Sequence, residues 1–311
     1  MQDNSFISVF KRDGDMKKFL ISFILTVAFI VVADQAIGYM LKRGYDFTTF
    51  GAIGRKNEIV NYVKSDIVIL GSSRALHHYV PPIISDSTGL SCYNCGLGGQ
   101  GIIYHYALLR AMSQRYIPKM IIYELTPEYD IEPSNNARFL TEIRTLSPHG
   151  CADSILSVVG HMERMKMLSG IYPYNSLLFH IVGDRLQHKD LISQNGYIPM
   201  KGSLKKDENY QPRVLDFSKI DSVKVSFFEK MLREYSKKTK LIVMVSPIYG
   251  SNAPASFDVI ERLCARYDVA FHNCSGDQRF THAPSLYSDH VHFNDSGARQ
   301  YTASVCKYFR P

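Results

Sequence analysis

Five short apolar runs, at 67–70, 91–94, 120–125, 241–246 and 269–273, constrain this chain most. Between them lie segments in which apolar residues recur every three or four positions, clearest over 102–115, 217–238 and 255–267. A strand buried on both faces reads as a continuous apolar run, and alternation with helices marks crossover connections. The sequence therefore predicts an α/β fold with a doubly wound, flavodoxin-like parallel sheet of five strands. The rhythm breaks once. Residues 134–215 hold helical patterns and then the turn-rich stretch SQNGYIPMKGSLKKDENYQP, far longer than a βα loop of ~2–6 residues. A mostly helical insert on the carboxyl edge of the sheet is expected there, where it shapes access to the crevice.

Ahead of the first strand, residues 19–33 (FLISFILTVAFIVVA) carry no charge, and apolar residues resume beyond Asp34 as far as Leu41. About 23 residues at ~1.5 Å each suffice to cross a bilayer. Lys11, Arg12, Lys17 and Lys18 precede the segment, while Lys42 and Arg43 follow it. That basic excess predicts a cytoplasmic N-terminus over 1–18 and a single inner (plasma) membrane span over 19–41, followed by a connector over 42–64. The body, 65–311, is then periplasmic or otherwise extracytoplasmic. A signal peptide cleaved near Ala33 is the rival reading, and it exports the body as well. The net charge of +7 comes without a Lys/Arg block interleaved with aromatics, so the bilayer, and not nucleic acid, is the expected partner. Six cysteines suit an exported chain, although their pairing is not legible. Cys92 and Cys95 have the spacing of a redox or zinc half-site but lack a second such pair.

Ligands of open parallel sheets bind at the carboxyl ends of the strands. After the first strand come Ser72, Ser73 and Arg74 at the start of a helix, and after the second comes NCGLGGQG, whose glycines let a ligand approach backbone N–H groups. Near the end of the chain, YSDHVHFNDSGARQYTASV holds Asp289 and His292 three apart, just before a helix expected to begin at Asn294 or Asp295. A serine, a glycine nest and an Asp-x-x-His are the groups acyl transfer needs: nucleophile, oxyanion donors, and a base with the carboxylate that orients it. The spacing does not choose between Ser72 and Ser73.

In this order the blocks resemble those of the SGNH/GDSL hydrolase superfamily, especially its membrane-anchored bacterial branches related to cell-envelope acyl-transfer proteins. The resemblance covers about 65–130 and 240–311 and is most specific at LYSDHVHFNDSGARQYT. It implies a catalytic set of Ser73, Asp289 and His292, with the backbone N–H groups of Ser73 and Gly99 as the oxyanion hole and no cofactor or metal. The implied substrate is an acyl ester on envelope or extracellular polysaccharide, hydrolysed or transferred, with a membrane acyl-donor protein as a partner. The family's third block supplies an Asn to the oxyanion, whereas this chain reads YELTPEYD over 123–130. Arg74, Asn94 and Gln100 are the neighbouring candidates for that substrate contact. The missing Asn also motivates the alternative of a non-catalytic binding or assembly component of polysaccharide machinery.

Plainer readings exist for each residue. A serine in such a turn commonly caps its helix. His77, His78, His290 and His292 allow a weak metal reading, and Glu124 with Glu128 a weak glycosidase reading. The insert aromatics Tyr172, Tyr174 and Phe179 read as core before carbohydrate platform.

Overall fold

The computed structural model describes residues 13–146, 150, 152–187, 194–205, 210 and 219–310. A helix of 34 residues, α1 (Asp13–Asp46), leads into α2 (Gly51–Asn61) and then the first half of the sheet: β1 (Ile67–Gly71), α3 (Ser73–His78), α4 (Pro81–Thr88), β2 (Cys92–Asn94), α5 (Ile102–Ser113) and β3 (Met120–Glu124). The short helices α6 (Pro127–Asp130), α7 (Leu140–Arg144), α8 (Asp153–Val159), α9 (Glu163–Lys166) and α10 (Leu178–Gln187) follow. The second half comprises α11 (Ser222–Tyr235), β4 (Lys240–Val245), α12 (Asp258–Arg266), β5 (Ala270–Asn273), α13 (Gln278–Thr281) and α14 (Asp295–Val305).

All five strands are parallel, in the order β2-β1-β3-β4-β5. Each falls within about a residue of its apolar run, and β1 and β3 are buried throughout, as continuous apolar runs require. Side chains alternate between the two faces. Val68, Leu70, Ile121 and Tyr123 join a core with α2, α5 and α11, while Ile67, Ile69, Ile122 and Met244 join a second core with α3, α4 and α14. The strand order turns back between β1 and β3, so the crevice for ligands opens at their carboxyl ends.

Helix α1 contains a stretch long and apolar enough to cross a membrane, none of it buried against the body. The expected connector over 42–64 contains the end of α1 and all of α2. Four of its polar residues, Thr48, Arg55, Lys56 and Asn57, are buried. Arg55 is buried and donates to the carbonyls of Gly96 and Asn94 (both 2.6 Å) and Gly196 (2.8 Å), bracing the glycine loop after β2. Residues 217 and 218, the expected start of α11, lie outside the described residues. The helix begins at Ser222 because the Asp221 carboxylate accepts from the N–H groups of Val223 and Lys224.

Candidate active site

Gly71 ends β1 at φ +134°, and a side chain there would collide with the Glu124 carbonyl on β3, so only glycine allows this turn. The turn separates the two serines. Ser72 is fully buried and its hydroxyl has no partner, whereas Ser73, the first residue of α3, directs its Oγ to His292 Nε2 at 2.8 Å. Neither hydroxyl caps the helix.

The loop before α14 presents the other two members. Asp289 accepts the N–H groups of Val291 (2.8 Å) and His292 (2.9 Å) on Oδ1, closing a tight side-chain turn that carries His292 back over its own carboxylate. His292 Nδ1 then lies 2.9 Å from Asp289 Oδ2. An ionised carboxylate only accepts, so Nδ1 carries the proton and Nε2 is free to accept from Ser73. Burial works against the Asp289 carboxylate, but the His292 ring and the two backbone N–H groups outweigh it and hold its pKa below the usual carboxylate range. Asn294 caps α14 by accepting from the Gly297 N–H at 3.0 Å and fixes the loop through the carbonyls of Gly202 and Ser285. His77 sits edge-on to His292 with ring centroids 5.4 Å apart, and burial keeps its pKa below 6.5.

Beneath this line is a network that the sequence reading did not find. Arg74 donates to Ser246 Oγ (2.7 Å from Nη2, 3.1 Å from Nε) and to the carbonyls of Ser246 and Pro247, and it pairs with Glu124 at 3.4 Å. Glu124 accepts from the Ser246 hydroxyl (2.5 Å) and the Tyr79 hydroxyl (2.6 Å). Burial pushes its pKa up, opposed by Arg74, Ser246 and Tyr79. His78 completes the network: its Nε2 accepts the Phe293 N–H at 3.2 Å, so its Nδ1–H donates to Ser246 at 2.8 Å. One buried imidazole thus ties the strand ends to the residue after His292.

The expected substrate contacts divide. Asn94 is buried, with its amide spent on the Ala75 and Tyr79 carbonyls and the Gly96 N–H. Asn94 is committed to shaping the turn, while Arg74 spends Nε and Nη2 in the network and still borders the cavity described below. Only the Gln100 side chain takes no partner, its Oε1 being buried and unpaired. Gly98 faces the serine so closely that a side chain there would lie 3.7 Å from Ser73 Cβ, and Gly99 follows at φ +74° with open space around it. The first turn of α3 leaves its N–H groups without intrahelical acceptors, the Ser73 N–H among them.

A cavity of about 140 Å³ adjoins the line, bounded by Arg74, Thr126, Tyr210, Tyr249, His290 and Val291. Tyr210 stacks on His290 with centroids 3.9 Å apart, so the insert contributes a wall. The buried Thr126 hydroxyl, where the third block has no Asn, is unpaired. The insert also returns over the loop: the Ile198 carbonyl accepts from His77 at 2.7 Å, and Leu204 donates its N–H to the Tyr287 carbonyl at 2.7 Å. A larger cavity of about 460 Å³, beside Lys42, Tyr45 and Tyr174, contains none of these groups.

The plainer readings fare as follows. Glu124 is locked in the network, while Glu128 is exposed and reaches Arg138 at 3.8 Å, so the two are no acid–base pair. Among the described residues no cluster of three or more His, Cys, Asp or Glu is placed to hold a metal. Cys92 and Cys95 are free and buried, and burial pushes the Cys95 thiol up to about 12. Cys151 lies outside the described residues. Tyr174 is core against Tyr45, the Tyr172 hydroxyl donates to Glu163 at 2.9 Å, and Phe179 is exposed. No protein-family model matches this chain, and no curated protein matches it.

Proposed function

We propose that this chain is a membrane-anchored serine acyl-ester hydrolase or O-acyltransferase of the SGNH type. The observation that carries the reading is the continuous Ser73–His292–Asp289 line of hydrogen bonds, in which Ser73 lies 219 residues before the His292 it bonds. In the proposed reaction Ser73 Oγ attacks the ester carbonyl as its proton passes to His292 Nε2, and Asp289 stabilises the imidazolium. The N–H groups of Ser73 and Gly99 receive the oxyanion. When the tetrahedral intermediate collapses, the alcohol leaves with the proton from His292, and Ser73 holds the acyl group. Water or a sugar hydroxyl, deprotonated by His292, then releases it. The Gln100 amide and Thr126 hydroxyl, both uncommitted, are the nearest substitutes for the third-block Asn. The small cavity with its aromatic wall suits a short acyl group on a sugar better than a long fatty chain. The anchor points to an extracytoplasmic body working beside a membrane acyl donor on envelope or extracellular polysaccharide.

The test is turnover of a short-chain aryl acetate by the solubilised full chain, followed by product analysis with acetylated glycan. Wild type should release the aryl alcohol and Ser73→Ala should not; acetyl appearing on glycan hydroxyls would assign transfer, and acetate alone hydrolysis. One observation favours a second reading, a binding module: the Asn94 amide is committed to backbone groups and cannot replace the missing Asn. That module would give no turnover with either variant.

A further inference from the structure

The membrane helix and the insert are fastened to each other. Asp34, the one charge within the apolar segment, accepts the Ser169 hydroxyl and the Gly170 N–H, both at 2.7 Å, and Gln35 donates to the Leu168 carbonyl at 2.9 Å. Gly38 lies so close to Gly170 that any side chain at 38 would collide with its backbone. One turn further on, Leu41 and Tyr45 pack with Ile53, Tyr174, Leu177 and Ile181.

The level of this joint follows from helix geometry. The uninterrupted apolar run 19–33 spans about 22 Å, against a hydrocarbon thickness of ~30 Å. With Lys17 and Lys18 at the inner surface, the missing rise is about five residues, or 34–38. Those are the residues that hold the 168–170 loop. On the outer face of the same turns, Ile37, Tyr39 and Met40 remain exposed, so the helix is still apolar there. The insert's own surface beside the joint is apolar too: Leu168 is 78% and Met165 61% exposed, and Phe179, on α10, 85%. Arg164, next to Met165, is a cation of the kind anionic headgroups attract, while Lys166 on its other side is paired with Glu163 at 3.0 Å. Exposed apolar side chains on the segment bonded to residues 34 and 35 match the bilayer edge in chemistry and position.

We propose that the insert is a membrane-seated element, with Met165 and Leu168 entering the outer edge of the bilayer beside α1. The loop that supplies the partners of Asp34 makes that carboxylate tolerable at this depth. It also fixes the height and tilt of the α/β body over the membrane. The inference rests on the reading that α1 spans the bilayer.

The chain contains no Trp, so single substitutions at exposed positions give clean reporters. Four variants, Phe29→Trp in mid-span, Met165→Trp, Leu168→Trp and Ala270→Trp on the edge strand β5, would be reconstituted at full length in phosphatidylcholine–phosphatidylglycerol vesicles. Emission is then compared with and without phosphatidylcholine brominated at shallow or deep positions. Expected is strong loss for Phe29→Trp with deep bromines, loss for Met165→Trp and Leu168→Trp with shallow ones, and none for Ala270→Trp. If the two insert reporters match Ala270→Trp while Phe29→Trp is quenched, the anchor stands and the seating is refuted. An unquenched Phe29→Trp removes the span and the proposal with it. Blue-shifted but unquenched insert reporters would mean a protein, such as a second copy, covers the surface, which also overturns it.

Discussion

Two polar clusters meet at the Ser73–Arg74 step, and they handle hydrogen bonds in opposite ways. The Ser73–His292–Asp289 line is half-buried, its neighbours Arg74, His290 and Val291 border a cavity, and the N–H groups proposed to receive the oxyanion have no intrahelical or loop acceptor among the described residues. The Arg74–Glu124–Ser246–His78 cluster is buried, and its members bond one another through Ser246. A group that must bind charge appearing during a reaction needs free capacity, whereas a buried group left with free capacity costs stability. Consecutive residues of one turn thus serve the two needs, Ser73 reaching outward and Arg74 inward.

This contrast predicts which substitutions cost activity and which cost the fold. Ser73→Ala should lower kcat by about 10⁶-fold, roughly 8 kcal/mol of barrier, with little change in thermal midpoint. Asp289→Asn leaves His292 with the wrong tautomer and should lower kcat by about 10⁴-fold, again in a folded protein. Glu124→Gln reverses the pattern. It strands Arg74 without its counter-charge and should cost about 3–5 kcal/mol in urea denaturation. A stable but inactive Glu124→Gln would break the comparison, because Glu124 would then belong to the reacting set. His78→Leu leaves the Phe293 N–H unpaired and should cost about 1–3 kcal/mol, with kcat lowered and KM little changed as His292 loses its position. The smallest effect concerns pH. The Asp289 pKa is depressed in the folded state, so its stabilising contribution is present above the unfolded value of about 3.9 and is lost as pH falls through the lower folded value. Below about pH 4 the thermal midpoints of wild type and Asp289→Asn should therefore converge.

The sequence made the open cluster legible and hid the closed one. Strand runs locate the carboxyl ends of a parallel sheet, and groups that must stay near those ends, Ser73, Gly99, Asp289 and His292, stand in short blocks beside them. Arg74 looked like one of these, as did Asn94, because a polar residue after a strand is ambiguous until its partners are known. Those partners come from the end of β3, the residues just after β4 and the far end of α3, as much as 173 residues away, so no local pattern announces them. The segment 42–64 misled for the same reason. Nothing in the local pattern of that connector marks Arg55 and Lys56 as buried, yet both are, Arg55 on backbone carbonyls and Lys56 on Glu142. Leu168 and Met165 are the converse case, apolar residues that the body leaves uncovered.

The central claim is that the turn after β1 exists to present a nucleophile. The most direct test is covalent labelling of the solubilised full chain with a fluorophosphonate, read by intact mass and peptide mapping beside Ser73→Ala and His292→Ala. One adduct on Ser73, lost in both variants, is the predicted result. No adduct on folded wild type, or an adduct that survives His292→Ala at an unchanged rate, would contradict it.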